Sequence, residues 1–189
     1  MPERNPLRPA VFLDRDGVIA DEVGYLNRIS RFRMFPFAAN SIRLLNEAGL
    51  AVIVVTNQSG VGRGYFPQSL VQEVHDAMTR QLATAGAKLD GIYYCPHISA
   101  QNCSCRKPKT GMLDKAAAEH GLDLKHSFVV GDKYGDIELA RNASARGILV
   151  RTGYGAGEIA AHLRNWPSQP DYIADDLSMA VQWILRQPR

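Results

Sequence analysis

The sequence predicts an α/β fold, a doubly wound and mostly parallel sheet, on three observations. Residues 50–55, Leu-Ala-Val-Ile-Val-Val, are wholly apolar and rich in β-branched side chains, as in strands buried on both faces of a parallel sheet. Short runs of this kind alternate with stretches whose apolar residues recur at helical spacing. Several runs stop abruptly in polar or acidic turns, and the ends of parallel strands are where such sheets gather ligands.

Val11-Phe12-Leu13 is the first strand, stopped by Asp14-Arg15-Asp16-Gly17. A loop over 20–36 leads into a helix over 38–48, with Ile42, Leu44 and Leu45 apolar and Gly49 placed to end it. The strand 50–55 then runs into Thr56-Asn57-Gln58-Ser59-Gly60. The glycine-rich stretch 60–64 reads as a flexible flap. Over 68–85, Leu70, Val71, Val74, Ala77, Met78 and Leu82 form a helical core stripe. Residues 92–94 are a short strand, 112–119 a helix closing near Gly121, and 127–130 a strand that meets Gly131-Asp132. A helix over 135–143, strands at 148–150 and 172–174, and a helix marked by Leu177, Ala180, Val181, Ile184 and Leu185 complete the order. Right-handed crossovers are expected between the parallel strands.

With 189 residues, 46% of them hydrophobic, the chain is expected to form a single domain over 1–189 with a substantial core. The intervals 16–52 and 56–107 hold little beyond their own helices, so a cap domain is minimal or absent. A net charge of +3 without a Lys/Arg run speaks against a nucleic-acid partner. No stretch approaches the ~18 apolar residues of a membrane span. Residues 1–9 are polar, unlike a secretory signal, so a cytoplasmic monomer is expected.

The polar strand ends carry the chemistry. Of two carboxylates spaced as Asp14 and Asp16, one can attack as a nucleophile while the other moves a proton, or the pair can hold a hard cation such as Mg²⁺. A calcium loop would require an acidic or amide residue where Val18 stands. Thr56 and the amides after it suit phosphate oxygens, and Asp132 and Asp136 follow a later strand. A phosphate among carboxylates is repelled by about 4 kcal/mol per pair at 4 Å and an effective dielectric of 20. A divalent cation and the Lys107 ammonium would remove that repulsion.

All three cysteines and one of the five histidines fall in Cys95-Pro96-His97 and Cys103-Ser104-Cys105. Three cysteines leave one over in any disulfide scheme, whereas Cys95, His97, Cys103 and Cys105 supply the four ligands of a closed structural Zn²⁺ site. The loop leads straight into Arg106-Lys107, so zinc would stiffen the segment that presents them. His75, His120, His126 and His162 are expected to be ordinary residues without partners.

The order Asp14-x-Asp16-Gly17, Thr56, Lys107 and Gly131-Asp132 with Asp136 resembles the haloacid dehalogenase-like phosphatases, whose motifs it follows across most of the chain. The resemblance implies that family's Rossmann-like sheet and a catalytic set of Asp14, Asp16, Thr56 and Lys107. Asp14 would become an aspartyl-phosphate, Asp16 would act as general acid and then base, and Thr56 and Lys107 would hold the phosphoryl group. Mg²⁺ would be bound by Asp14, the Asp16 carbonyl and Asp132, with Asp136 behind it or sharing the ion. The zinc loop before Arg106-Lys107-Pro108 is similar to a branch that includes sugar-bisphosphate phosphatases of lipopolysaccharide-core synthesis and histidinol-phosphatases. It implies a small phosphorylated sugar as substrate, with histidinol phosphate or a nucleic-acid 3′-phosphate as alternatives. Glu22-Val23-Gly24-Tyr25, Asn57, Gln58, Ser59 and Arg106 resemble the recognition segments, and Arg15 is a further candidate substrate contact. Arg106 suits a distal phosphate, because a guanidinium binds phosphate through two parallel hydrogen bonds.

Overall fold

The computed structural model describes residues 7–188. Most of the polar N-terminal segment read as lacking a secretory signal therefore lies outside the described residues. Six strands, β1 (Ala10–Leu13), β2 (Ala51–Asn57), β3 (Gly91–Cys95), β4 (Phe128–Gly131), β5 (Arg146–Val150) and β6 (Tyr172–Ala174), form one sheet. Every neighbouring pair is parallel, in the order β3-β2-β1-β4-β5-β6. The helices are α1 (Ala38–Glu47), α2 (Ser59–Gly62), α3 (Gln68–Thr84), α4 (Gly111–His120), α5 (Tyr134–Asn142), α6 (Gly155–Ala161) and α7 (Leu177–Leu185).

Successive strand side chains point to opposite faces, and both faces are covered. Val11 and Leu13 join a core with Ile42 and Leu45 of α1, Met78 of α3 and Val181 of α7. Phe12 turns the other way, toward Leu113 and Ala116 of α4 and Leu139 of α5. This two-sided burial explains why the strands read as unbroken apolar runs rather than alternating ones. The strand order reverses between β1 and β4, so the turns after these two strands border the crevice where doubly wound sheets bind ligands.

Four details differ from the sequence reading. β2 runs on through Thr56 and Asn57, because its pairing with β3 continues to Cys95. The loop over 20–36 contains a 3₁₀ turn, Ile29–Arg31, and Ala20 bridges both Asp16 and Met34. α6 went unread because it has no apolar stripe; its only fully buried residue is Gly155. The glycine-rich stretch after β2 is a packed turn rather than a flap. The Gly62 amide donates to the Pro96 carbonyl at 2.9 Å, and a Cβ on Gly60 would lie 2.2 Å from the Phe66 ring. Gly60 is there for close approach, not for mobility.

Candidate active site

The loops at the C-terminal ends of the strands enclose a cleft of about 320 Å³ whose floor includes Asp14, Asp16, Thr56, Lys107 and Asp136. Asp14 follows β1, its amide bonded to the Val130 carbonyl of β4 at 3.0 Å. Its Oδ1 accepts the Arg15 amide at 2.7 Å and its Oδ2 meets Lys107 Nζ at 2.8 Å. Lys107 Nζ also reaches Asp136 at 2.7 Å and the Val55 carbonyl at 3.1 Å. Burial opposes the Lys107 charge, but Asp136 and then Asp14 more than compensate and raise its pKa. Burial likewise opposes ionisation of Asp14, yet the Lys107 ammonium, with help from Lys133 and the Arg15 amide, holds its pKa below the ordinary value. A buried, ionised carboxylate fixed beside an ammonium is a competent nucleophile for phosphorus.

Asp132 completes an acidic group with Asp14 and Asp136, their nearest oxygens all within 4.8 Å of one another. Its Oδ2 accepts the Tyr154 amide at 2.9 Å, while its Oδ1 is buried without a partner. Burial, then the Asp14 charge, push the Asp132 pKa up to about 8. An orphaned oxygen among crowded carboxylates fits a hard divalent cation with oxygen ligands. Gly17 allows this approach: its φ is +81°, and a Cβ there would lie 2.2 Å from Asp132 Oδ2.

At the second cluster, of softer ligands, Cys95 Sγ lies 3.6 Å from Cys103 Sγ and 3.5 Å from His97 Nδ1. Cys105 Sγ lies 3.4 Å from Cys103 Sγ and 3.3 Å from His97 Nδ1. Zinc–sulfur bonds of about 2.3 Å in a tetrahedron place sulfurs about 3.8 Å apart, so these four groups are gathered to the size of a zinc site. The thiols are unequal without a metal. Burial raises the Cys95 pKa to about 12, whereas at Cys103 bonds from Cys105 and Cys95 overcome burial and lower it to about 6. The Arg106 Nη1 donates to the His97 carbonyl at 3.1 Å, which ties the loop to the cleft.

The expected recognition residues divide into two groups. Glu22, Gly24, Tyr25, Asn57, Gln58, Ser59 and Arg106 border the cleft; Val23 and Arg15 do not. The Val23 carbonyl is instead taken by Arg31 at 2.9 Å. Arg15 is corrected as a substrate contact: its guanidinium turns inward and both its side-chain oxygen partners are on Asp16. Two cleft amides have structural duties as well. Asn57 accepts the Lys107 amide at 3.1 Å and donates to the Lys107 carbonyl at 3.2 Å. Gln58 Nε2 donates to Asp16 Oδ2 and Thr56 Oγ1, each at 2.9 Å.

Lys133, Phe66 and Tyr154 also line the cleft, and sequence reasoning gave them no role. Lys133 Nζ pairs with Glu22 at 2.9 Å and lies over the Tyr154 ring at 4.4 Å. Its place directly after Asp132 was the available signal; Tyr154 follows β5, another strand end that the same rule covers. Three histidines expected to stand alone have partners. His75 faces Arg15 Nη1 at 3.4 Å, His120 meets the Tyr93 hydroxyl at 3.1 Å, and His126 meets Asp123 at 2.7 Å.

A parallel sheet with a buried Asp paired to a lysine after one central strand, a hydroxyl in the last turn of the neighbouring strand and a distal acidic pair has the arrangement of a haloacid dehalogenase-like hydrolase. The HAD-hydrolase-like family model matches residues 104–180. The D-glycero-D-manno-heptose-1,7-bisphosphate 7-phosphatase of Thermosynechococcus vestitus is 46% identical over 188 residues, covering 94% of this chain and 95% of its own. The D-glycero-beta-D-manno-heptose-1,7-bisphosphate 7-phosphatase of Haemophilus influenzae is 38% identical over 181 residues, covering 90% and 94%. A crystal structure of the D,D-heptose 1,7-bisphosphate phosphatase of B. bronchiseptica, complexed with magnesium and phosphate, superposes with a TM-score of 0.87. It is 31% identical and covers 95% of this chain and 99% of that one. The chain belongs to the heptose-bisphosphate phosphatase family of the haloacid dehalogenase-like hydrolases.

Proposed function

We propose that the protein is a magnesium-dependent phosphatase that removes the C7 phosphate of D-glycero-D-manno-heptose 1,7-bisphosphate, in nucleotide-heptose and lipopolysaccharide-core synthesis. The observation that carries this reading is the Lys107 ammonium, 2.8 Å from Asp14 and 2.7 Å from Asp136, at the floor of a cleft with further cations at its rim. The relatives named above supply the substrate.

Asp14 attacks phosphorus and becomes an acyl phosphate, while Asp16 delivers a proton to the departing C7 oxygen. Asp16 then takes a proton from the water that releases phosphate. Thr56 Oγ1 and Lys107 Nζ hold the phosphoryl oxygens, and Asp136 fixes Lys107. Magnesium, held by Asp14, Asp132 and the Asp16 carbonyl, would neutralise phosphoryl charge. Arg106 and Lys133, both at the cleft, offer the distal phosphate its cations. Cys95, His97, Cys103 and Cys105 would hold a zinc ion, which would have the structural duty of keeping Arg106 and Lys107 in place. Action as a cytoplasmic monomer belongs to the same proposal. Among the described residues no helix is long and apolar enough to cross a membrane.

Parallel assays with Mg²⁺ test the substrate. The heptose bisphosphate should exceed histidinol phosphate and a 3′-phosphorylated oligonucleotide in kcat/KM by at least about tenfold, a difference of about 1.4 kcal/mol in transition-state binding. A preference for either competitor would overturn the assignment. Asp14→Asn should leave no acid-stable phosphoenzyme and almost no turnover.

A further inference from the structure

Arg15 is 1% exposed, an unusual place for a charge. Its Nε donates to Asp16 Oδ1 at 2.9 Å and its Nη2 to Asp16 Oδ2 at 2.7 Å, a two-pronged grip on one carboxylate. The remaining nitrogen, Nη1, faces His75 Nε2 at 3.4 Å. His75 sits on α3, is 3% exposed, and meets the Tyr94 ring of β3 edge-on at 5.6 Å. A guanidinium only donates, so His75 Nε2 accepts and the imidazole is neutral. Gln58 adds its bond to Asp16 Oδ2 from a third direction.

Asp16 thus stands in a short turn at the cleft, its carboxylate held by Arg15 of the same turn and by Gln58, and Arg15 is in turn met from behind by His75 of the long helix α3. Packing alone does not call for this arrangement. An apolar side chain of similar volume would fill the space without burying a charge, and such replacements are often neutral or stabilising. The fork instead gives orientation, and proton transfer depends on a heavy-atom approach of about 2.6–3.2 Å. We propose that Arg15, backed by His75 of α3, is a positioning residue that aims the Asp16 carboxylate at the substrate oxygen. The proposal rests on the acid–base role given to Asp16 above.

Leaving-group dependence tests it. A sugar alkoxide needs a proton as it departs, whereas p-nitrophenolate leaves as a stable anion. The ratio kcat/KM reports events through formation of the phosphoenzyme, so the two substrates separate the proton transfer from the rest of the site. His75→Leu should lower kcat/KM for the heptose bisphosphate by about 10- to 100-fold, the scale of a 1 Å misplacement. The same variant should change p-nitrophenyl phosphate by less than about threefold. His75→Gln, whose amide oxygen still accepts from Arg15, should recover most of the loss. In an Asp16→Asn background, His75→Leu should add nothing further.

An equal fall on both substrates, or the same loss with and without the Asp16 carboxylate, would overturn the proposal. If His75→Leu does not fold, Arg15→Lys carries the same comparison, since an ammonium cannot span both oxygens. Wild-type sugar-phosphate turnover by Asp16→Asn alone would identify the acid–base reading as the failure, and the proposal would fall with it.

Discussion

His75 leaves a mark on stability as well as on the orientation of Arg15. Burial, then the Arg15 charge, push its pKa down from 6.5 to about 3. The native imidazole therefore stays neutral while the unfolded one takes up a proton below about pH 6.5. The unfolded state binds more protons in this window, so stability falls as pH falls from about 7 toward 3. Between pH 7 and pH 5 the loss from this one group is about 2 kcal/mol. Urea unfolding at the two pH values should show His75→Gln losing less than the wild type by that amount. An unchanged difference would mean that His75 accepts a proton in the folded protein. None of this was legible in the sequence. A motif places Asp14 and Asp16 at a strand end but does not say which way the side chain between them turns, and a buried arginine is the rarer outcome. The partner that draws Arg15 inward is 60 residues away on α3.

At the scale of elements, the zinc loop shows how local chemistry supports a distant site. β3 ends at Cys95, and Gln58, the residue after β2, donates its amide to the Cys95 carbonyl at 2.7 Å. The Gly62 amide of α2 does the same to Pro96, and Arg106 returns to His97. The loop therefore braces both the turn that carries Gln58 and Ser59 and the segment that carries Lys107. Cys103→Ala should remove zinc, measured by elemental analysis, and lower kcat/KM on the heptose bisphosphate by about 10- to 100-fold, as loss of supporting ligands does elsewhere. Loss of zinc with full activity would leave the loop a stabiliser only. The elements that sequence revealed were those whose pattern arises from burial itself: β2 and the stripe of α3 declare themselves because apolar surface must be covered. α2 and α6 did not, since one is a glycine turn shaped by Phe66 and Pro96 and the other lies almost wholly at the surface. Tertiary contacts decide such segments, and those contacts are invisible in a local window.

Over the whole molecule, the acidic group spans the seam of the sheet. Asp14 belongs to β1 and the half that continues into β2 and β3; Asp132 and Asp136 follow β4 and belong to the half with β5 and β6. The halves meet through β1 and β4, paired at Val11–Phe128, Phe12–Val129 and Leu13–Val130. Carboxylates that face one another across that seam push the halves apart, and only part of the charge is met by Lys107, which reaches Asp14 and Asp136. Asp132 has an unpartnered Oδ1 and a pKa raised to about 8 by burial and the Asp14 charge. A divalent cation bound there joins the two halves, so it should stabilise the fold as a whole and not the cleft alone. A ligand of the native state at a hundredfold excess over Kd adds about 2.7 kcal/mol. For a chain of this size that raises Tm by several degrees, at about 2–4 °C per kcal/mol. Thermal melting should therefore shift upward with magnesium in the wild type. Asp132→Asn should melt no lower than the wild type without added magnesium, because burial and the Asp14 charge already disfavour an ionised carboxylate there, and should gain almost nothing when magnesium is supplied. A wild-type Tm indifferent to magnesium would mean that the repulsion across the seam is relieved without an ion, by protonation of Asp132.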